Sequence, residues 1–298
     1  MSNYSPIVLF VYNRPDETKK SLDALRLNVL AKESELYIFS DAPSKVTVTE
    51  NVDKVRSLIR NLDGFKDIYI IESDINKGLA NSVIDGVTEV INKHEKVIVL
   101  EDDLVTSPNF LSFMNQALDC YESNKKIISI SGYTHRIQLP ENYEYDAYFT
   151  HRMSSYGWGT WLDRWETIDW ELKDYNSFKC NVRENLNFMK GGEDLPRMLA
   201  AYKKGKINSW AIRFCYHQYK TETYTVYPTI SKLDNIGFNS MATNTVQRKA
   251  FDIIDFFPSS DTRFILPEEI KIDKLINRSF LKKYKTINRI LAKYFLNR

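Results

Sequence analysis

Between Ile7 and Gly132 the chain alternates short, wholly apolar runs with longer stretches whose apolar residues recur at helical spacing. That rhythm admits few folds. Ile7-Val8-Leu9-Phe10-Val11-Tyr12 has no polar side, as a strand buried on both faces requires. Asn13-Arg14-Pro15 then opens a predicted helix to about Leu30, with the proline where its missing N–H costs nothing. Further strands are predicted over 36–40, 68–72, 96–100 and 127–131, with helices over 48–62 and 79–93 and another opening at Ser107-Pro108. Strands and helices in this alternation give an α/β fold, a mostly parallel sheet flanked by helices. Such sheets take their ligands at the carboxyl ends of the strands, so the residues that end each apolar run are where chemistry is expected.

After Gly132 the rhythm breaks. The stretch 133–177 is rich in Tyr, Trp, His and Arg and has little periodicity; helices follow over 195–204 and 209–219, and a strand over 224–228. We therefore divide the chain into an α/β half over 1–132, a second half of the same domain over 133–260, and a helical tail over 261–298. The last part, 275–298, carries Arg278, Lys282, Lys283, Lys285, Arg289, Lys293 and Arg298 and no acid, with Leu281, Tyr284, Ile287, Ile290, Leu291 and Phe295 at helical spacing. A basic amphipathic helix of this kind lies peripherally on an anionic membrane surface; a terminal helix packed on its own domain shows the same spacing. No apolar run reaches 18 residues, and Met1 to Pro6 is polar, so neither a membrane span nor a secretory leader is expected. Three widely spaced cysteines without a C-x-x-C pair point to reduced thiols and a cytoplasmic setting. A net charge of +2 is too small for a nucleic-acid partner.

The sharpest local feature is Val97-Ile98-Val99-Leu100-Glu101-Asp102-Asp103. Three adjacent carboxylates repel one another, so the cluster calls for a cation or firm hydrogen bonds. Hard divalent ions such as Mn²⁺ or Mg²⁺ take carboxylate oxygens and keep positions open for phosphates. An acidic turn solvated at a strand end is the plainer alternative.

Leu100-Glu101-Asp102-Asp103-Leu104, followed by Ser107-Pro108-Asn109-Phe110, resembles the acid motif of glycosyltransferases with the Rossmann-like GT-A fold, in particular the family around N-acetylglucosaminyltransferase I and related bacterial enzymes. The likeness runs from Pro6 to about Asn239 and is most specific at the acids. It implies that Asp103 is the metal ligand with Asp102 beside it, and that Glu101 and Asp102 approach the donor's ribose and sugar. By the same resemblance Asn13 and Arg14 touch the uracil and diphosphate, and Asp41 recognises the base. Lys77 and Gly78, at a helix entry, suit phosphate or ribose contact. Arg152 is placed toward the diphosphate, and Trp158, between two glycines, offers a stacking face to the donor. For Trp161 and Trp165 we expect core packing.

An acceptor hydroxyl also needs a base. Gly191-Gly192-Glu193-Asp194 resembles the Glu-Asp motif of family-two glycosyltransferases, which makes Asp194 the base and Glu193 the next candidate. Aligned on N-acetylglucosaminyltransferase I instead, the base falls near Asn208-Ser209-Trp210, where there is no acid. The resemblance implies an inverting transfer from a nucleotide sugar, UDP first; the basic tail and the bacterial look of the chain point, by analogy, to a glycan or lipid-linked glycan acceptor of surface polysaccharide or lipopolysaccharide. Two rivals remain. A sugar-nucleotidyltransferase uses a glycine-rich loop after its first strand, whereas residues 11–15 hold no glycine, and the same lack removes a dinucleotide-dependent dehydrogenase. A carbohydrate-binding module without turnover has no need of the acid triplet.

Overall fold

The computed structural model describes residues 4–237 and 254–286. Ten strands are present among these residues: β1 Ile7–Val11, β2 Glu35–Ser40, β3 Asp67–Glu72, β4 Lys96–Glu101, β5 Leu104–Thr106, β6 Ile127–Ser131, β7 Ala147–Thr150, β8 Trp158–Trp161, β9 Tyr224–Pro228 and β10 Leu233–Asn235. Eight of them form one sheet in the order β3-β2-β1-β4-β8-β6-β9-β7, and β10 pairs with β5 in a small separate ribbon. β3, β2, β1 and β4 run parallel, as the α/β rhythm requires. β8 enters antiparallel between β4 and β6, and β7 antiparallel at the edge beside β9. The stretch 133–260 thus supplies three strands to the sheet that 1–132 begins.

Side-chain alternation explains why this sheet needs both layers. Ile7, Leu9 and Val11 of β1 enter one buried cluster, whereas Val8 and Phe10 enter the other. Each fully buried aliphatic contributes about 1.5–3 kcal/mol, so a strand that is apolar on both faces is stable only between two layers. Those layers include helices α1 Pro15–Arg26, α2 Thr49–Arg60, α3 Leu79–His94 and α4 Phe110–Tyr121. Pro15 stands at the first turn of α1 with Asp16 and Glu17, where carboxylates meet the positive end of the helix. α4 begins at Phe110, later than Ser107-Pro108 suggests, because Ser107 is used elsewhere. Its N–H and hydroxyl both donate to the Lys232 carbonyl, at 2.8 and 3.0 Å, and tie the start of α4 to β10.

β8 lies within the aperiodic stretch. Its sequence, Trp158-Gly159-Thr160-Trp161, alternates correctly, with Trp158 in one cluster and Trp161 in the other. Gly159 is required there, since a Cβ would stand 3.0 Å from the Val97 carbonyl oxygen. Just before it, Gly157 has φ +53°, and a Cβ would meet Leu233 Cδ2 at 2.2 Å. Gly157→Ala therefore combines a left-handed backbone with an overfilled core, and we expect it to cost about 1–3 kcal/mol. A lowered urea midpoint would show this; an unchanged one would mean that Leu233 turns aside.

In the tail, helix α5 Lys274–Leu281 is capped by Asp273 and buries Ile276 and Phe280 against Tyr148 and Tyr227. Its described part is thus packed on the domain. The remainder of the predicted basic helix, 287–298, lies outside the described residues. No helix among the described residues is long and apolar enough to cross a membrane.

Candidate active site

β1, β2 and β4 end side by side, and each delivers polar groups to the same carboxyl edge. From β4 come Glu101, Asp102 and Asp103, all part-buried. Their backbone is pinned: the Asp102 carbonyl accepts from Ser21 Oγ at 2.9 Å, and the Asp103 carbonyl accepts from the Ile236 N–H at 2.9 Å. Asp102 Oδ2 accepts from the Tyr12 N–H at 3.2 Å, which ties the acid motif to the end of β1. Arg14, two residues further on, donates from Nη1 to Asp103 Oδ2 at 2.8 Å. Asn13 lies half-buried between Tyr12 and Arg14.

The electrostatics follow from three carboxylates sharing one guanidinium. Burial pushes the Glu101 carboxyl up to about 8 and the Asp102 carboxyl up to about 7; in both the neighbouring acids add to the rise and Arg14 opposes it. Burial also raises Asp103, against the pull of Arg14. Arg14 itself is partly desolvated, yet the facing carboxylates outweigh that and hold its charge more firmly than usual.

This donor set fits a hard divalent cation: carboxylate oxygens in excess over the cation that touches them. Among the described residues no three His, Cys, Asp or Glu converge to cage a metal. Sites completed by substrate phosphates need only one or two protein carboxylates. Each of the two predicted ligands has one oxygen engaged, Asp102 Oδ2 by the Tyr12 N–H and Asp103 Oδ2 by the Arg14 guanidinium.

At the end of β2 the geometry gives Asp41 a structural role. Its Oδ1 accepts from the N–H groups of Ala42 and Lys77, both at 2.9 Å, and its Oδ2 from the Gly78 N–H at 2.8 Å and Asn76 Nδ2 at 3.2 Å. Both oxygens are committed to shaping the entry of α3. Gly78, at φ +72°, makes that entry, and its N–H is spent on Asp41 rather than left for a phosphate. Lys77 pairs with Asp85 at 3.0 Å.

Four further predicted site residues have partners within the fold. Trp158 is 1% exposed, stacked on Trp210 at 4.8 Å and Trp165 at 5.8 Å, so its ring has no face open to a donor. Trp161 and Trp165 are in the core, as expected for them. Arg152 and Asp194, which read from sequence as a diphosphate contact and a base, are joined to each other: Nη1 to Oδ1 at 2.9 Å and Nη2 to Oδ2 at 3.2 Å. The Arg152 guanidinium also lies 3.9 Å over the Tyr284 ring. Burial opposes its charge, but Asp194 outweighs burial and raises its pKa. Glu193 accepts from the Thr286 N–H at 2.8 Å, chiefly for which its carboxyl is held below the usual range. The Glu-Asp loop therefore grips Arg152 and the segment that follows α5.

Gly237 is a residue that sequence reasoning misses. A Cβ there would stand 2.0 Å from Asp103 Oδ2 and 3.0 Å from Arg14 Nη1, so the chain after β10 passes directly against the acid motif. The available signal is a glycine closing the short run Asp234-Asn235-Ile236.

No protein-family model matches the chain, and no curated protein matches it by sequence. Among solved structures it is similar to a mannosyltransferase from Pyrobaculum calidifontis in complex with GDP-Man and Mn²⁺, at TM-score 0.36 and 12% identity, over 56% of this chain and 47% of that one. It is also similar to S. aureus TarS, at TM-score 0.42 and 10% identity over 78% and 61% of the two chains. A complex of TarS with UDP matches at TM-score 0.30 and 13% identity, over 46% and 37%. The matched region spans about half the length of the mannosyltransferase and less than two thirds of the TarS fragment 1–349.

Proposed function

We propose that this chain is a glycosyltransferase that takes a sugar from a nucleotide-sugar donor, UDP-linked first, and passes it to the hydroxyl of a glycan or lipid-linked glycan. The observation that carries the reading is the acid edge: Glu101, Asp102 and Asp103 close beside Arg14, at adjoining ends of parallel strands. In this reading Asp103 holds a divalent cation with Asp102 beside it, and Arg14 and Asn13 face the diphosphate. The cation supplies charge neutralisation for a departing nucleoside diphosphate. Glu101, beside Asp102 at the end of β4, faces a ribose or sugar oxygen. The resemblance of the acid motif supports an inverting transfer, with 133–260 as the acceptor side.

The test is ligand-induced stabilisation of the full chain by UDP, GDP, CDP and TDP, each with Mn²⁺, with Mg²⁺ and with EDTA. One nucleotide is expected to raise Tm only when metal is present, since a ligand at about 100 times its Kd adds about 2.7 kcal/mol. No shift with any pair would remove the donor reading and leave a sugar-binding module without turnover.

We place the chain at an anionic membrane surface through its basic end. From Lys282 onward it carries Lys283, Lys285, Arg289, Lys293 and Arg298 and no acid. Each such charge contributes about 1 kcal/mol near an anionic leaflet. Cosedimentation with phosphatidylglycerol vesicles is expected, with little on phosphatidylcholine and with loss in Arg289→Glu/Lys293→Glu. Equal recovery with both lipids would rule out the electrostatic anchor.

A further inference from the structure

The acid edge carries a cation of its own. Arg14 and Asp103 meet at 2.8 Å with side chains 18% and 14% exposed, so their attraction is far less screened than that of a surface pair. Neither partner is free to retreat by moving its backbone. The Arg14 carbonyl accepts from the Thr18 N–H at 2.9 Å and from its hydroxyl at 2.7 Å, which fixes the residue at the head of α1. Asp103 is held by Ile236, and Gly237 closes over both side chains, where even a methyl group would overlap Asp103 Oδ2.

From this geometry we infer that Arg14 is an internal counter-ion, one that makes cation binding at Asp103 conditional on a diphosphate. The inference rests on the reading of this edge as a nucleotide-diphosphate site. A divalent ion arriving alone meets a carboxylate oxygen already committed to a guanidinium. It either shares Asp103 with a neighbouring positive charge or displaces Arg14 into a part-buried space among acids. A diphosphate changes that balance. It offers the planar guanidinium a two-pronged partner as good as the carboxylate, so Arg14 transfers to the phosphate oxygens while Asp103 is released to the metal. Metal and nucleotide then strengthen each other's binding by the same factor. Arg14 acts here as a positioning residue for the cation and forms no bond to the transferred sugar.

Titration of Mn²⁺ into the full chain, followed by its paramagnetic signal, tests this with wild type, Arg14→Gln and Arg14→Lys, each alone and with UDP or GDP. Arg14→Gln is expected to bind Mn²⁺ without nucleotide about tenfold more tightly than wild type, within the range of ordinary coupling energies. The enhancement that nucleotide brings should shrink by a similar factor. Arg14→Lys keeps the competing charge, so it should bind Mn²⁺ alone about as weakly as wild type, while the enhancement that nucleotide brings falls because the two-pronged phosphate contact is lost. If wild type binds Mn²⁺ and nucleotide together but Arg14→Gln shows no gain for the metal alone, the counter-ion role is overturned and the donor site stands. A lysine variant that gains as much as the glutamine variant overturns the role in the same way. If wild type binds neither Mn²⁺ nor nucleotide, both the role and the functional reading fall.

Discussion

Asp194→Ala should lower the stability of the chain by about 3–5 kcal/mol, a drop on the order of 10 °C in Tm. The reason lies in what the substitution leaves behind. Arg152 and Asp194 have side chains only 11% and 6% exposed, and the carboxylate takes two of the guanidinium's N–H groups. Without it the buried guanidinium keeps the Gly191 carbonyl at 3.3 Å and the Tyr284 ring, neither of which carries a balancing charge. A buried pair need not stabilise a fold on balance, whereas a buried single charge always costs. Arg152→Met/Asp194→Leu should therefore be markedly more stable than Asp194→Ala, although it differs from wild type at two positions. Urea unfolding of wild type, Asp194→Leu, Arg152→Met and the double variant reads the coupling directly. An Asp194→Ala chain as stable as wild type, but unable to transfer sugar, would restore the carboxylate to the role of base and refute the brace.

That pair also shows where sequence reasoning loses its grip. Both residues are legible as unusual, one in an aromatic segment and one after two glycines. Their partnership is not, because 42 residues separate them and no periodicity links a loop to a helix entry. The same holds for Asp41. Its position at a strand end is readable from the apolar run before it, but its four hydrogen-bond donors come from the next residue and from a loop 35 to 37 residues on. By contrast, β1 and β4 can be read because a strand buried on both faces tolerates no polar side chain, and this leaves an unbroken apolar run. β8 escapes for the opposite reason. With only four residues, two of them tryptophan and one glycine, and Thr160 as its single β-branched residue, it is too short to separate from a loop. Trp158 reads as a ligand-facing ring, although the core uses it as filler among Trp165, Trp210 and Phe214. The acid edge survives translation from sequence to structure because its chemistry depends on three consecutive residues and on the end of one neighbouring strand.

Asp103→Asn, as the consequence of that edge, is expected to reduce both donor hydrolysis and sugar transfer by about 10²–10³ or more. The replacement is nearly isosteric and keeps an oxygen within reach of Arg14, so the fold at β4 and the Ile236 contact should persist. What it removes is the negative charge. An amide oxygen is a far poorer partner than a carboxylate, both for a hard cation and for the Arg14 guanidinium. Glu101→Gln makes the informative comparison. Arg14 donates to Asp103, and Glu101 is not one of the two predicted cation ligands, so the amide leaves the cation-holding carboxylates in place. Its loss of rate should be smaller, within roughly a factor of ten. Nucleoside diphosphate release, followed with and without acceptor, reads hydrolysis and transfer separately. Should Asp103→Asn release nucleotide at the wild-type rate while Glu101→Gln does not, the working carboxylate is the first of the three. The cation-holding role of Asp103, and with it the counter-ion role of Arg14, would then have to be given up.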